Sequence, residues 1–383
     1  MRYDDMVAAA RREITEVTPS QLVDLARSGA LVVDVRESGE RDQGAIADSI
    51  FISRGLLEGA VATAITDQDV PVVVYCASGA RSALAAQTLM AMGYRNVASL
   101  AGGFDAWKSA GLEWGPPEGL TSEQRTRYDR HINLPAIGEK GQERLLDSKV
   151  AVVGVGGLGS PVAMYLAAAG VGTLGLIDDD TVDATNLQRQ VAHNVNRIGQ
   201  AKVDSGRATI DGLNPDVKVR TYRTRLTADN VLDLLTGYDV VVDGSDNFPT
   251  RYLVNDASLH LRTPVIHGSI FRFEGQVSVF DPYSGPCYRC LFRQPPPAEL
   301  APNCAEAGVL GVLPGIIGSI QAVETIKMLL EIGEPLVGRL LTYDALSQES
   351  SILNLNRDAG CPACGPAEPP ELVDYDAACR ATR

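Results

Sequence analysis

The sequence predicts an α/β protein in two unequal parts, a small open α/β domain followed by a larger, doubly wound, mostly parallel one. Three observations predict it. Short runs at Leu31–Val35 and Val70–Tyr75 are apolar, Val-rich and without alternation, as strands buried on both faces are, and Lys149–Val153, Thr173–Ile177 and Asp239–Asp243 read as further strands. Helical patterns alternate with these runs, which is the order of a parallel sheet. A Pro/Gly-rich break at Trp114–Gly119 separates the two parts.

In the first part, Thr18-Pro19-Ser20-Gln21 forms a capping box with Pro at the first helical position, and Gly29 ends that helix. Arg81–Met92 reads as a helix closed by Gly93. In the second part Thr121, with Gln124 three residues on, opens a helix. Strand Lys149–Val153, a Gly-rich turn and helix Ser160–Gly170 follow, and later helix Thr250–Leu261 and strand Pro264–His267. The expected limits are 15–114 for the first domain, 115–120 for the linker, 121–365 for the second domain and 366–383 for a loosely ordered tail.

The 383 residues carry 34 Lys+Arg against 48 Asp+Glu, a formal charge of −14, with 45% hydrophobic and 21% charged residues. That balance is globular, and it argues against non-specific nucleic-acid or anionic-membrane binding, both of which need basic surface. The polar Met1–Pro19 segment has no apolar core of a secretory signal, and the uncharged run Ala307–Val323 is interrupted by Gly and Pro. A cytoplasmic protein is expected, without a membrane span. Its seven Cys then point to metal or catalysis before disulfides.

Gly154-Val155-Gly156-Gly157-Leu158-Gly159 is a G-x-G-x-x-G turn between a strand and a helix, the start of a Rossmann-like unit. Its glycines let backbone N–H groups approach a phosphate at the helix N-terminus. Asp178 ends the next strand about 20 residues on, where a ribose-binding acid belongs. NAD is the default ligand of such a turn. The polar and cationic run Asn186-Leu187-Gln188-Arg189-Gln190, Lys202 and the acidic Asp246 fit a triphosphate with Mg²⁺ better, and an oxidoreductase would leave them without a task.

These motifs, with Ser245-Asp246-Asn247, Arg127-Tyr128-Asp129-Arg130 and Cys287-Tyr288-Arg289-Cys290, resemble the adenylating domain of ubiquitin-activating-type enzymes. The closest branch is the bacterial molybdopterin-synthase and thiamine-sulfur-carrier adenylyltransferases. The resemblance implies Asp178 on the ATP ribose, Asp246 on Mg²⁺, Arg189 and Lys202 on the phosphates with Asn186 beside them, and Arg130 reaching the partner subunit's ATP site in a homodimer. It also implies that Cys304 lies near the adenylate, where some branches form a covalent link with the carrier.

The pairs Cys287/Cys290 and Cys361/Cys364 make C-x₂-C…C-x₂-C, the spacing of a closed, structural tetrahedral Zn²⁺ site. Two redox C-x₂-C motifs or bystander thiols are the alternatives. Cys379 has no assigned role.

Cys76 follows the strand Val72–Tyr75 in Cys76-Ala77-Ser78-Gly79-Ala80-Arg81, which closes into a helix N-terminus. Backbone N–H groups and Arg81 there favour an anionic thiolate or persulfide. The loop, with Asp34-Val35-Arg36-Glu37 and Gly102-Gly103-Phe104-Asp105-Ala106-Trp107, resembles single-domain rhodaneses, and its six residues suit a sulfur acceptor. Two departures stand out. Gly44-Ala45-Ile46-Ala47-Asp48 lacks the family's histidine, and the loop side chains before Arg81 are uncharged, which disfavours thiosulfate as donor.

Together the two resemblances imply an enzyme that adenylates the C-terminal glycine of a small ubiquitin-like sulfur carrier. Its Cys76 would supply sulfur taken from a persulfide donor such as a cysteine desulfurase, in molybdopterin, thiamine or thiolated-tRNA synthesis. The alternative is an adenylyltransferase whose rhodanese domain only docks partners.

Overall fold

The computed structural model describes residues 2–116, 119–294, 308–365 and 368–375, so Cys304 and Cys379 lie outside the described residues. The chain forms two compact units, Met1–Asp129 and Arg130–Arg383.

The first unit is built on five parallel strands, β1 (Thr15–Val17), β2 (Leu31–Asp34), β3 (Ile50–Phe51), β4 (Val72–Tyr75) and β5 (Val97–Leu100), in the order β1-β5-β4-β2-β3. Its helices are α1 (Tyr3–Glu13), α2 (Pro19–Arg27), α3 (Ser38–Arg41), α4 (Leu57–Ala64), α5 (Ala80–Ala91) and α6 (Gly103–Ser109). Val72 and Val74 of β4 pack with Leu57, Val61 and Leu89 on one face, while Val73 and Tyr75 pack with Leu22, Phe104 and Trp107 on the other. Both faces are therefore covered, which is why β4 reads as an unbroken apolar run.

Helix α1, ahead of the expected start at 15, buries Val7 and Ala10 and packs on α5. The fully buried Asp34 accepts hydrogen bonds from Arg36 Nη2 at 2.7 Å and Tyr75 Oη at 2.8 Å. Arg36 Nη2 also donates to Gly44 O at 2.8 Å, so the stretch lacking the histidine is held by this buried ion pair. Beyond Trp114, Gly115 pairs with Ala45 in both directions, at 2.7 and 3.1 Å. The Ser122 N–H, opening the helix α7 (Ser122–Arg127), donates to Asp42 at 3.1 Å. These bonds group 119–129 with the first unit.

The second unit carries an eight-stranded sheet. Its strands are β6 (Lys149–Val153), β7 (Thr173–Ile177), β8 (Lys218–Tyr222), β9 (Val240–Asp243), β10 (Val265–Phe271), β11 (Glu274–Phe280), β12 (Arg339–Asp344) and β13 (Glu349–Asn354). The order is β13-β12-β11-β10-β9-β6-β7-β8, parallel from β10 to β8 and antiparallel from β10 to β13. Helices α8 (Gly138–Asp147), α9 (Gly159–Ala169), α10 (Lys202–Leu213), α11 (Val231–Leu235), α12 (Phe248–Leu261), α13 (Tyr288–Leu291) and α14 (Leu313–Leu330) complete it. Val150, Val152, Leu174 and Leu176 pack with Val162, Leu166 and Ile317 on one face; Ala151, Val153 and Val241 pack with Tyr252 and Leu253 on the other.

Helix α14 is long and apolar enough to cross a membrane, but it packs on α9, β10 and β11 as a core helix and buries Gln321, Glu324 and Thr325.

Within the tail, the described residues 368–375 depart from expectation. Pro369-Pro370 and its acids suggest loose order, yet residues 368–375 are docked on α12. His260 Nε2 bonds Pro370 O at 2.8 Å, Ala228 N donates to Asp374 at 2.8 Å, and the Tyr375 hydroxyl donates to Asp256. Asp256 is fully buried and is otherwise matched by a two-pronged Arg289 at 2.9 Å on each oxygen. Removing one side of such a pair strands a buried charge. Arg289→Ala should therefore destabilise the second unit by about 3–5 kcal/mol, read as a drop in its denaturant midpoint.

Candidate functional site

In the second unit the chain leaves β6 for β7 on one side and later returns to β9 on the other. This is a switch point, where the loops after neighbouring strands diverge and open a crevice. The cleft there, about 300 Å³, is lined by Gly154, Gly156 and Gly157 after β6, Asp178–Asp180 after β7, and Gly244–Asn247 after β9. Arg189, Gln190, Lys202, Arg225 and Arg251 also line it.

The glycines are needed for their lack of a side chain. Gly154 has φ +85°, and a Cβ on it would lie 2.9 Å from Gly244 O. One on Gly159 would lie 1.8 Å from Gly154 O, and one on Gly157 would lie 3.2 Å from Pro314. Gly156 is open to within 3.5 Å of Gln190. The turn is held from below by His193, whose Nε2 bonds Val155 O and whose Nδ1 bonds Ser205 Oγ, both at 2.9 Å. Burial pushes the His193 pKa down and keeps the ring neutral.

Asp178 accepts the Val155 N–H at 2.8 Å and the Asp180 N–H at 2.9 Å. Burial raises its pKa, opposed by Lys202 and these two N–H groups. Lys202, the first residue of α10, is 5% exposed and reaches Asp180 with Nζ at 2.7 Å. The oxygens of Asp178, Asp179 and Asp180 lie within 4.8 Å of one another, so this rim is strongly acidic, and Arg189, Lys202, Arg225 and Arg251 line the same cleft. Asp246 stands exposed on the rim.

The expected residues are not all gathered. Asn186 sits in a 3₁₀ turn outside the cleft lining; its carbonyl accepts the Arg189 and Gln190 N–H groups at 3.0 Å and so sets the direction of that segment. Arg130 is not among the lining residues either. The sequence reading missed Arg251 on the first turn of α12. Its Nη2 donates to Ser245 O at 3.2 Å, and its buried Nε has no hydrogen-bond partner. Its position shortly after Asp246, on the helix that leaves the S-D-N turn, is the signal that could have found it. Also missed was the buried pair of His267 Nδ1 and Asp243 Oδ2 at 2.9 Å. Asp243 Oδ1 accepts the Ser245 N–H at 3.0 Å and the Ser245 hydroxyl at 2.6 Å, which fixes the turn carrying Asp246.

The four cysteines of the two pairs come together. Sγ separations are 3.6 Å for Cys287–Cys361, 3.5 Å for Cys290–Cys364 and 3.9 Å for Cys287–Cys290. These are far longer than a disulfide and close to the roughly 3.8 Å edge of a tetrahedron with bonds of about 2.3 Å. Burial and the neighbouring sulfurs push Cys287 well above the usual thiol range, and burial raises Cys290 to about 11. Four such thiolates need a cation between them, and the set fits a metal.

In the first unit Cys76 directly follows β4, the central strand, and is almost fully buried. Its Sγ accepts the Gly79 N–H at 3.2 Å, ahead of the N-terminus of α5. Gly103 allows the loop to be clasped: a Cβ there would lie 2.4 Å from Cys76 O, and the Phe104 and Asp105 N–H groups bond Cys76 O and Ala77 O at 2.7 and 3.0 Å. Arg81 is turned to Glu40, with both nitrogens within 2.7 Å of its carboxylate.

A nucleotide-type cleft at a switch point and a cysteine on a six-residue loop at a helix start define a two-part α/β protein of nucleotidyl and sulfur chemistry. The ThiF family matches residues 128–363 and the rhodanese-like domain matches residues 18–110. The chain belongs to the ThiF family and carries a rhodanese-like domain ahead of it. It is 51% identical over 266 residues to the sulfur carrier protein adenylyltransferase of Thermus thermophilus, covering 68% of this chain and 98% of that protein. It is 49% identical to the SAMP-activating enzyme E1 of Haloferax volcanii, covering 67% and 95%. With the probable adenylyltransferase/sulfurtransferase MoeZ of Mycobacterium tuberculosis it shares 46% identity, covering 69% and 67%. Among solved structures, E. coli MccB with ATP shares the fold at a TM-score of 0.56 and 22% identity, covering 64% of this chain and 77% of that one.

Gly159→Ala should displace the turn and abolish nucleotide binding in calorimetric titration, whereas Gly156→Ala, with room for a methyl group, should weaken it far less.

Proposed function

We propose that this enzyme uses ATP to adenylate the C-terminal glycine carboxylate of a small ubiquitin-like sulfur carrier, releasing pyrophosphate, and that Cys76 delivers persulfide sulfur to make the carrier thiocarboxylate. The observation that carries this reading is the coexistence, on one chain, of a phosphate-sized glycine cradle ringed by cations and a thiol on a sulfur-acceptor loop. These serve consecutive chemical steps. The names of the relatives, sulfur carrier adenylyltransferase and adenylyltransferase/sulfurtransferase, support it and favour transfer over a purely docking role.

In the first step the carrier carboxylate attacks the α-phosphorus and pyrophosphate leaves. Asp178 holds the ribose hydroxyls, the turn's N–H groups and Arg189 and Lys202 hold the phosphates, and Arg251 adds a third cation as charge spreads over the transferring group. Asp246 would carry Mg²⁺, which neutralises the phosphate oxygens when bound. In the second step the terminal sulfur of Cys76 persulfide attacks the acyl carbon and AMP leaves. Two thiol equivalents of a reductant then cleave the acyl disulfide, leaving as their own disulfide and freeing the thiocarboxylate and the Cys76 thiol.

Cys287, Cys290, Cys361 and Cys364 would hold a structural Zn²⁺ with no open ligand position. A homodimer is supported by the exposed apolar groove of Tyr165, Val191, Val312 and Ile316, which a second copy would cover while extending Arg130 to its neighbour's nucleotide. Reduced thiols at Cys76 and the metal cluster fit a cytoplasmic setting.

Carrier-dependent ATP–pyrophosphate exchange should be present in the wild type and fall at least about 100-fold in Asp246→Ala. Cys76→Ala should keep that exchange and lose thiocarboxylate formation; exchange absent with every carrier tried would end the adenylation reading. The purified chain should carry one zinc, and Cys361→Ser should lose it together with thermal stability, by metal analysis and calorimetry.

A further inference from the structure

Among the described residues, Arg81, Arg11 and Lys108 each have a carboxylate partner. Arg81, the loop's last residue, forks onto Glu40, Nη1 to Oε2 at 2.7 Å and Nη2 to Oε1 at 2.6 Å. Glu40 is aimed by the Glu37 N–H, which donates to Oε2 at 3.0 Å. Arg81 holds the Glu40 carboxyl down at about 2, so the pair stays charged on both sides at any working pH. Arg11, from helix α1 and outside the segment matched by the rhodanese-like family, lays its guanidinium 3.3 Å from where a Cβ on Gly79 would stand. It is paired with Glu16 at 3.3 Å. Lys108 pairs with Asp105 at 3.2 Å, on the helix whose Asp105 N–H clasps Ala77 O.

That balance matters for the class of sulfur donor. In transfer from a persulfide, the Cys76 thiolate attacks the terminal sulfur of R–S–S⁻. The donor S–S bond breaks, its electron pair leaves on R–S⁻, and Cys76–S–S⁻ forms. Two monoanions meet and two separate. With thiosulfate the same attack expels sulfite, so a thiolate and a dianion meet and three negative charges must share the site. The Gly79 N–H and the start of α5 can steady one of them, but the excess needs an uncompensated cation.

We propose that Glu40 is a specificity-determining residue of this loop: by engaging Arg81 it selects persulfide donors and turns away thiosulfate. The proposal rests on the sulfur-acceptor reading of Cys76. Glu40 acts through Arg81 and touches no reacting atom.

The test uses the full chain with thiosulfate and cyanide, read as thiocyanate formation, and with glutathione persulfide, read as a 32 Da gain on Cys76 of about one sulfur atom by intact mass. Glu40→Gln keeps the shape of the pair and removes its charge. Glu40→Ala removes the carboxylate and the fork together, and frees Arg81 by deletion. Both variants should raise thiosulfate kcat/KM on the order of tenfold, while persulfide loading stays within about twofold of wild type. Unchanged thiosulfate turnover in both variants, with loading intact, overturns the proposal. So does loss of persulfide loading in either variant, since Glu40 would then serve loading itself. A wild-type Cys76 that takes sulfur from neither donor would instead bring down the acceptor reading beneath it.

Discussion

The close approach of Gly154, Gly159 and Gly244 is the constraint on which the second unit depends. A Cβ on Gly159 would lie 1.8 Å from Gly154 O, and one on Gly244 would lie 3.0 Å from Gly159 N. The turns after β6 and β9 are thus pressed together backbone to backbone, and the N-terminus of α9 is aimed at the crevice between them. Asp178 and His193 then secure the same turn from either side through the Val155 N–H and carbonyl. The floor of the crevice is therefore backbone and not side chain, which is the arrangement that suits a phosphate.

Around that floor the chemistry is electrostatic. A chain of net charge −14 still presents cations to an anionic ligand, because Arg189, Lys202 and Arg251 line one crevice together. Lys202 is nearly buried and tied to Asp180, so its charge is held in place before any ligand arrives. In the first unit the opposite device operates. Arg81 and Arg11 approach the sulfur loop already neutralised by Glu40 and Glu16, so the loop relies on the Gly79 N–H and the helix start. One unit concentrates cations for a polyanion; the other withholds them.

The C-terminal part of the fold is secured by buried groups that need partners. Four sulfurs within 4.8 Å join the turn at Cys287–Cys290 to Cys361–Cys364, and the neighbouring Asp256–Arg289 pair is completed by Tyr375. Both clusters tie late residues to α12 and α13, which explains why residues 368–375 do not behave as a loose tail.

Much of this was legible in the sequence. Strands buried on both faces announce themselves as continuous Val-rich runs, the G-x-G-x-x-G turn carries a steric requirement that only glycine meets, and paired C-x₂-C spacing reflects ligand geometry. Each of these is a local property of the chain. Tertiary structure alone decided what depends on distant partners. Arg81 belongs to Glu40, Asp34 to Arg36 and Tyr75, and Asp256 to Arg289 and Tyr375; Arg251 faces the nucleotide cleft, Asn186 only orients its neighbours, and α1 brings Arg11 to the sulfur loop. The physical reason is that periodicity and glycine sterics act over a few residues, whereas the partner of a charge is chosen by which loops the sheet order brings together.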